Sequence, residues 1–416
     1  MERRHLQPLG IALASWHRRV CSNQRLSFRV KSRNLQLLLG TSSRHGIHVL
    51  TRTRGARCLD FETWEIPTRP SHSRNIQCVV QEVVLNLFLR AAWPALVCLA
   101  IPAAPAQQAR LLVAEKGAQS LAIVDPASGS VLASVPEGGI TGHEVIASAD
   151  GKLAFVPIYG NSGVGSPGTD GNNIAVIDIA ARRVVGNIAF DHGVRPHCPM
   201  IGPKDGLLYV TTELDKTITI IDPKTLKIVG AVPTGQPESH MQVLSHDGRR
   251  AYTANVGPGT VSVIDIKAKK VLKVIPISGN TQRISISPDD KWVFTADQTK
   301  PQMAVIDTAT DTVAKWIPME GIGYGGATTP DGQWLLVALP GQNKVAVIDL
   351  KTMQVARTVA VGAFPQEVIV RPDGKAAYVS CEKANQVAEI DTTTWTATRT
   401  ITTGKYADGL AWAAAR

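Results

Sequence analysis

Residues 240–275 read HMQVLSHDGRRAYTANVGPGTVSVIDIKAKKVLKVI. They hold four short runs of strand-forming residues, His240 to Leu244, Arg250 to Asn255, Thr260 to Asp265 and Val271 to Ile275, separated by turns. The third run closes on two apolar residues and an aspartate, Val263-Ile264-Asp265. The phrase recurs as Ile123-Val124-Asp125, Val176-Ile177-Asp178, Ile220-Ile221-Asp222, Val305-Ile306-Asp307, Val347-Ile348-Asp349 and, behind Glu389, Ile390-Asp391. The aspartates lie 53, 44, 43, 42, 42 and 42 residues apart. An apolar or aromatic residue stands thirteen positions before most of them, at Leu112, Tyr209, Tyr252, Phe294, Leu336 and Tyr378. In the second unit Phe155 precedes Asp178 by 23, so ten residues are inserted there.

The turn after the first run is Asp-Gly-like at Asp150-Gly151, Asp205-Gly206, Asp247-Gly248, Asp289-Asp290, Asp331-Gly332 and Asp373-Gly374. Hairpins need a residue at positive φ there, which Asp or Gly supplies at little cost. A four-stranded antiparallel unit cannot bury both its faces alone, and stacking such units radially solves the problem. Fourth strands at Val131, Val184, Ile228, Val271, Val313, Val355 and Ala397 give seven units. The chain enters at Arg110 with a second-type strand and leaves with Asp408 to Ala413 as a first-type strand. The predicted fold is all-β: a seven-bladed β-propeller over residues 107–416, closed by strands from both termini. An open solenoid would need capping repeats, and none is visible.

Tyr209-Val-Thr-Thr, Tyr252-Thr-Ala-Asn and Phe294-Thr-Ala-Asp, each followed by the aspartate phrase, and the ending from Val355 to Gly362, resemble the YVTN-type propeller repeats of surface-layer and YncE-like proteins. The resemblance covers roughly residues 110 to 413. It implies an extracytoplasmic binding propeller, a lactonase, or a haem d1 or amine-dehydrogenase domain, because one fold carries all of these.

The 416 residues carry a net charge of +10. Residues 1–90 hold fifteen Lys+Arg against five Asp+Glu, and the remainder is balanced at twenty-nine of each. A balanced domain gives no footing for nucleic acid. Residues 1–84 read as a basic extension outside the fold, either non-native or disordered. Residues 85–106 read as a secretory signal peptide: Arg90, an apolar stretch from Ala91 to Ile101 interrupted by Pro94, and Ala104-Pro105-Ala106 before Gln107. Signals act near the amino terminus, which places the true start near Val79 to Leu87. Eleven apolar residues are too few for a permanent membrane anchor, and Val97 before Cys98 is a poor lipoprotein match. A periplasmic, secreted or cell-surface monomer is expected. Only Cys198 and Cys381 follow the cleavage point, so no disulfide framework is implied.

Function in a propeller collects on the face where loops lead into the first strands. Twelve residues before each marker stand His143, His197, His240, Gln282, Tyr324 and Gln366, with Asp408 in the closing blade. These seven form the expected ligand-binding ring at the channel mouth. His143, His197 and His240 come from adjacent blades and are candidate ligands for zinc, copper or iron, with Glu144 and Glu238 to orient the rings. The competing reading is a solvated rim. The insertion, Tyr159 to Asn173, lies on the same face as a lid, a clamp or, through Asp170 and Asn172, a calcium loop. Glu115, Glu213, Asp297 and Glu382 end second strands, where solubility explains them. His192 and His246 read as surface residues.

No Cys-x-x-Cys-His exists, so no c-type haem is covalently attached. Neither a phosphate loop nor a Gly-x-Ser-x-Gly elbow occurs. The leading expectation is a small-molecule, glycan or protein partner bound at the channel mouth without chemistry. The alternatives are a lactonase-like or metal-assisted hydrolase, or a protein handling haem or another redox cofactor, working through the histidines.

Overall fold

Each recurring aspartate is held by the turn that follows it. Asp222 accepts the Lys224 amide and the Thr225 hydroxyl, both at 2.9 Å. Asp265, Asp307, Asp349 and Asp391 accept backbone amides two or three residues on, at 2.7–2.8 Å. Such an Asx turn reverses the chain within a few residues, which is why the phrase ends in aspartate. Four positions beyond the aspartate the backbone is left-handed, at Gly129 (φ 74°), Leu226 (58°), Asp311 (53°) and Trp395 (57°), and the amide of that residue returns to the aspartate carbonyl. One extra residue is thereby fed into the fourth strand, seen in the fourth unit as a register shift between Val263 and Ile264.

The computed structural model describes residues 108–415 and, before them, four backbone strands. These are Ser27–Lys31, Leu35–Thr41, Ile47–Thr53 and Phe61–Trp64. The four pair in chain order as an antiparallel sheet within a first unit, Met1–Pro102. They fall in the stretch that the sequence reading leaves outside the fold. The signal-peptide reading of residues 85–106 lies outside the described residues.

The second unit is a seven-bladed β-propeller of four-stranded antiparallel blades. Blade 1 draws on both ends of the chain: Ala407–Ala413 pairs with Arg110–Glu115, followed by Ser120–Asp125 and Ser130–Pro136. The first strands of blades 2 to 7 are Ile146–Ala147, Pro196–Ile201, Ser239–Leu244, Thr281–Ile286, Gly326–Thr328 and Pro365–Val370. The glycines of the first hairpins sit at φ 68–72°, and in blade 5 Asp290 takes the position at φ 59°. Second strands such as Leu335-Leu336-Val337-Ala338 are buried on both faces, because a blade lies on either side. Among the described residues there is no α-helix, only two single 3-10 turns, Pro340–Gln342 and Glu382–Ala384.

In blades 2 and 6 the first strand is two or three residues long, so His143 and Tyr324 stand on its approach rather than opening it. The Tyr324 amide still donates to the Ala338 carbonyl of its own blade, and the sideways links are made at His143 and Gly325. The Gly409 amide donates to the His143 carbonyl, and the Gly325 amide donates to the Gln366 carbonyl, each across to the adjoining blade.

Candidate functional site

Five first strands slip register near their start, between Pro196 and Pro199, Ser239 and Met241, Thr281 and Ile284, Pro365 and Val368, and Ala407 and Leu410. A regular strand sends consecutive side chains to opposite faces. In blades 3 and 4 two consecutive positions, His197 with Cys198 and His240 with Met241, then both meet counterparts from other blades, and two tiers of side chains result.

The first tier holds the three histidines. His197 and His240 stack with ring centroids 3.6 Å apart and a tilt of 27°, and His143 lies 5.6 Å from His197. Tyr159 of blade 2 stands edge-on to all three at 5.3–5.6 Å. Its hydroxyl donates to Glu213 Oε2 at 2.5 Å; the same oxygen lies 3.3 Å from His240 Nδ1. His197, His240, Gln366 and Asp408 are all below 10% exposed, so the ring is no solvated rim.

Burial lowers the pKa of all three imidazoles, His197 furthest, where the two other rings and Arg283 add to it. Neutral rings follow at pH 7. Glu213 can only accept, so His240 carries its proton on Nδ1 and keeps a lone pair on Nε2, while His143 Nδ1 faces Asp408 Oδ2 at 3.6 Å. His197 Nδ1 is buried without a partner. The structure thus brings the three histidines together. Among the described residues, however, no three His, Cys, Asp or Glu side chains are disposed to hold a metal ion. Stacked rings turn their faces to each other, and in-plane nitrogen lone pairs then run side by side instead of converging.

The second tier is centred on Arg283. Its guanidinium, 5% exposed, donates to Glu144 Oε1 at 2.7 Å and Glu367 Oε2 at 2.5 Å, and lies 3.5 Å from Asp408 Oδ1. It also reaches Met241 Sδ at 3.7 Å and sits 4.7 Å from the Tyr324 ring centre. Burial drives the Glu144 carboxyl up to about 8, with the charges of Glu367 and Asp408 adding to it against Arg283. Glu367 is raised for the same first reason. Burial acts on Asp408 too, but His143, Arg283 and Lys116 outweigh it and hold that group low. The cluster therefore keeps a proton on Glu144 near neutrality.

Arg283 and Glu367 are absent from the ring read off the sequence, which places Gln282 and Gln366 there. Gln282 is half-buried and makes no side-chain hydrogen bond among the described residues, whereas its neighbour reaches the axis. A lone charge in an otherwise uncharged first strand, Arg283 before Ile284 and Glu367 before Val368, is the signal that marks them. Glu238 orients no imidazole; its Oε2 accepts the Gly257 amide at 2.7 Å, and Asp408 and Glu213 take that part.

The carboxylates that end second strands are structural rather than solvating. Glu115 accepts Ser120 Oγ at 2.6 Å and the Gly404 amide at 2.5 Å. Asp297 accepts the Thr299 hydroxyl at 2.6 Å and Gln302 Nε2 at 2.9 Å. Both are 1% exposed because the next loop folds over them. Asp170 of the insertion is held by Arg195 Nε at 2.7 Å, a guanidinium where the calcium reading puts a cation. His192 and His246 are surface residues paired with Asp215 and Asp290.

Beside Tyr324, a cavity of about 260 Å³ opens on the mouth over blades 5 to 7. It is lined by Gln298, Ile322, Tyr324, Pro340, Phe364 and Gln366, with Gly323 and Gly341. Gln366 Nε2 donates to Glu382 Oε2 at 2.6 Å. Lys116 then lies between Glu382 and Asp408, at 3.9 and 3.5 Å, linking the cavity wall to His143.

Residues 202–330 match the model of the Cytochrome D1 heme domain family, less than half of the chain. No curated protein matches. Among solved structures the chain is similar to Kuenenia stuttgartiensis hydrazine synthase, with 20% identity, TM-score 0.58, and 68% of this chain covering 92% of that one. It is also similar to a functionally unknown protein from Desulfotomaculum acetoxidans, with 12% identity, TM-score 0.62, and 73% of this chain covering 99% of that one. At these identities the likeness is one of fold.

Proposed function

We propose that the protein is an exported propeller that binds a small ligand at its channel mouth, in the cavity over blades 5 to 7. The observation that carries this is the cavity itself: apolar walls with two amide side chains, set beside a buried charged cluster. Its volume suits a small molecule better than a glycan chain. Export rests on the signal-like stretch before Gln107, and kinship with YVTN-type propellers on the repeat phrases. Gly341 supplies the test. Gly341 is exposed at the cavity wall and a Cβ there meets nothing within 4 Å, so Gly341→Trp sets an indole at the cavity mouth without straining the backbone. Fragments bound by the purified full chain, detected by saturation-transfer NMR, are expected to lose binding in Gly341→Trp with the unfolding midpoint unchanged. Fragment binding that ignores the substitution would refute the reading.

A second reading, the handling of haem or a related cofactor, is favoured by the family match over residues 202–330. The donor set fits in part. Imidazole nitrogen suits haem iron, whose redox chemistry the cofactor supplies when bound, and His143 and His240 each present a carboxylate-oriented ring. The cavity could not enclose a macrocycle, which would lie across the open mouth. An absorption spectrum of protein from its native source, coloured in the wild type and bleached in His143→Ala, is what this reading expects; a colourless sample would end it. The metal-assisted hydrolase reading through His143, His197 and His240 has no metal-holding group of three His, Cys, Asp or Glu among the described residues to support it.

A further inference from the structure

The two amide side chains of the cavity have only one possible orientation. Gln298 Nε2 donates to the Gly323 carbonyl at 2.7 Å and Gln366 Nε2 donates to the Glu382 carboxylate at 2.6 Å. Neither partner can donate, so neither amide can be turned over. One N–H of each amide thus has an acceptor in the protein, and its second N–H and its Oε1 remain. Neither Oε1 is sealed inside the protein as an orphan, and neither accepts a hydrogen bond among the described residues. The cavity accordingly offers two amide groups, each with an acceptor oxygen and one N–H donor to spare, between apolar walls, Ile322, Pro340 and Phe364.

The charge around these oxygens narrows the ligand further. Glu382 behind Gln366 is balanced by Lys116 at 3.9 Å; a ligand carboxylate could accept the spare N–H groups but would leave both Oε1 atoms unpaired and facing like charge. A cation fares no better at the aromatic wall, because Lys383 Nζ already lies 3.8 Å from the Phe364 ring centre. The Tyr324 ring is likewise engaged by Arg283.

We propose that this cavity selects a flat, uncharged molecule bearing N–H donors, an aromatic amide or an amino-heterocycle, over a carboxylate or an ammonium of the same shape. The proposal rests on the ligand-binding reading of the same cavity. It names the ligand class that two fixed carbonyl acceptors and an occupied aromatic face would recognise.

Benzamide, benzoate and benzylamine, titrated at pH 7.5 against the full chain, separate the cases. Benzamide is expected to bind, with the other two about tenfold weaker or worse, the cost of a lost or repelled hydrogen bond. Gln298→Leu, at a half-buried position, is expected to weaken benzamide about tenfold and to leave the urea midpoint unchanged. Gln366→Leu serves as a second variant, with its own midpoint recorded because the residue is buried. Benzoate binding as tightly as benzamide, and weakened by Lys383→Gln, would overturn the ligand class while leaving the cavity reading intact. Benzylamine binding tightest would do the same. If none of the three shows binding that Gly341→Trp abolishes, the proposal and the reading beneath it fall together.

Discussion

Arg283 is the side chain on which the centre of the ring depends. From blade 5 it touches Asp408 of blade 1, Glu144 of blade 2, Met241 of blade 4, Tyr324 before blade 6 and Glu367 of blade 7. Removing it leaves Glu144 and Glu367 without their cation and Asp408 with Lys116 alone, so Arg283→Met is expected to cost about 3–5 kcal/mol, read as a fall in urea midpoint at unchanged slope. The Glu144 carboxyl gives a pH signature. Its folded pKa, about 8, lies above the ordinary 4.5. The folded state therefore holds the extra proton, and the stability present below pH 4.5 is lost as pH rises towards 8. Glu144→Gln is uncharged throughout. Its urea midpoint is expected to gain on that of the wild type between pH 5 and pH 8, and a constant gap would show that Glu144 is ionised over that range. The histidines work in the opposite sense, since a lowered folded pKa costs stability as pH falls below 6.5, but they act on both proteins alike. At this scale the repeat phase found His143, His197, His240 and Asp408. It passed over Arg283 and Glu367 because a fixed step of twelve residues picks one position per strand, where the register slip brings the next one to the axis.

The inserted segment of blade 2 shows what sequence length reveals and what it conceals. Ten extra residues are visible from the spacing; the fastening is not. Arg195, with φ 50°, donates to Asp170 Oδ1, to the Gly163 and Ser166 carbonyls and to Glu213. Those partners are 18 to 32 residues away in sequence and close only in the folded blade. At the base of the loop a Cβ on Gly171 would stand 1.7 Å from the Ile158 carbonyl oxygen, and one on Gly160 1.9 Å from that of Thr169. Arg195→Ala is expected to free the loop, raising proteolytic nicking within residues 163–169 by about tenfold, the worth of one charged hydrogen bond. Unchanged cleavage would mean that the glycine-built base alone holds the loop. Glu115, Glu213 and Asp297 carry the same lesson. A carboxylate at a strand end looks solvating until the next loop covers it.

For the molecule as a whole the repeat made nearly everything legible, because each blade is one unit written with the same phrase. The closing strand was legible from its phase. Ala407–Ala413 buries Leu410, Ala411 and Ala413 against Arg110–Glu115 and its neighbours. A chain ending at Tyr406 is expected to lose its single cooperative unfolding transition, and a synthetic peptide of residues 407–416 added in trans is expected to restore it by strand addition. Calorimetry would check both, and a truncated chain that melts as sharply as the full one would count against the closure described here. The open end of blade 1 is also a directory of what happens during synthesis. The Arg110–Glu115 strand emerges early from the ribosome and must wait, edge uncovered, for the last ten residues of the chain. Those residues bring both the seventh wall and Asp408. A chain that lacks residues 407–413 can neither close blade 1 nor assemble the charged cluster, so an intact mouth is itself a certificate that those residues have been made and docked.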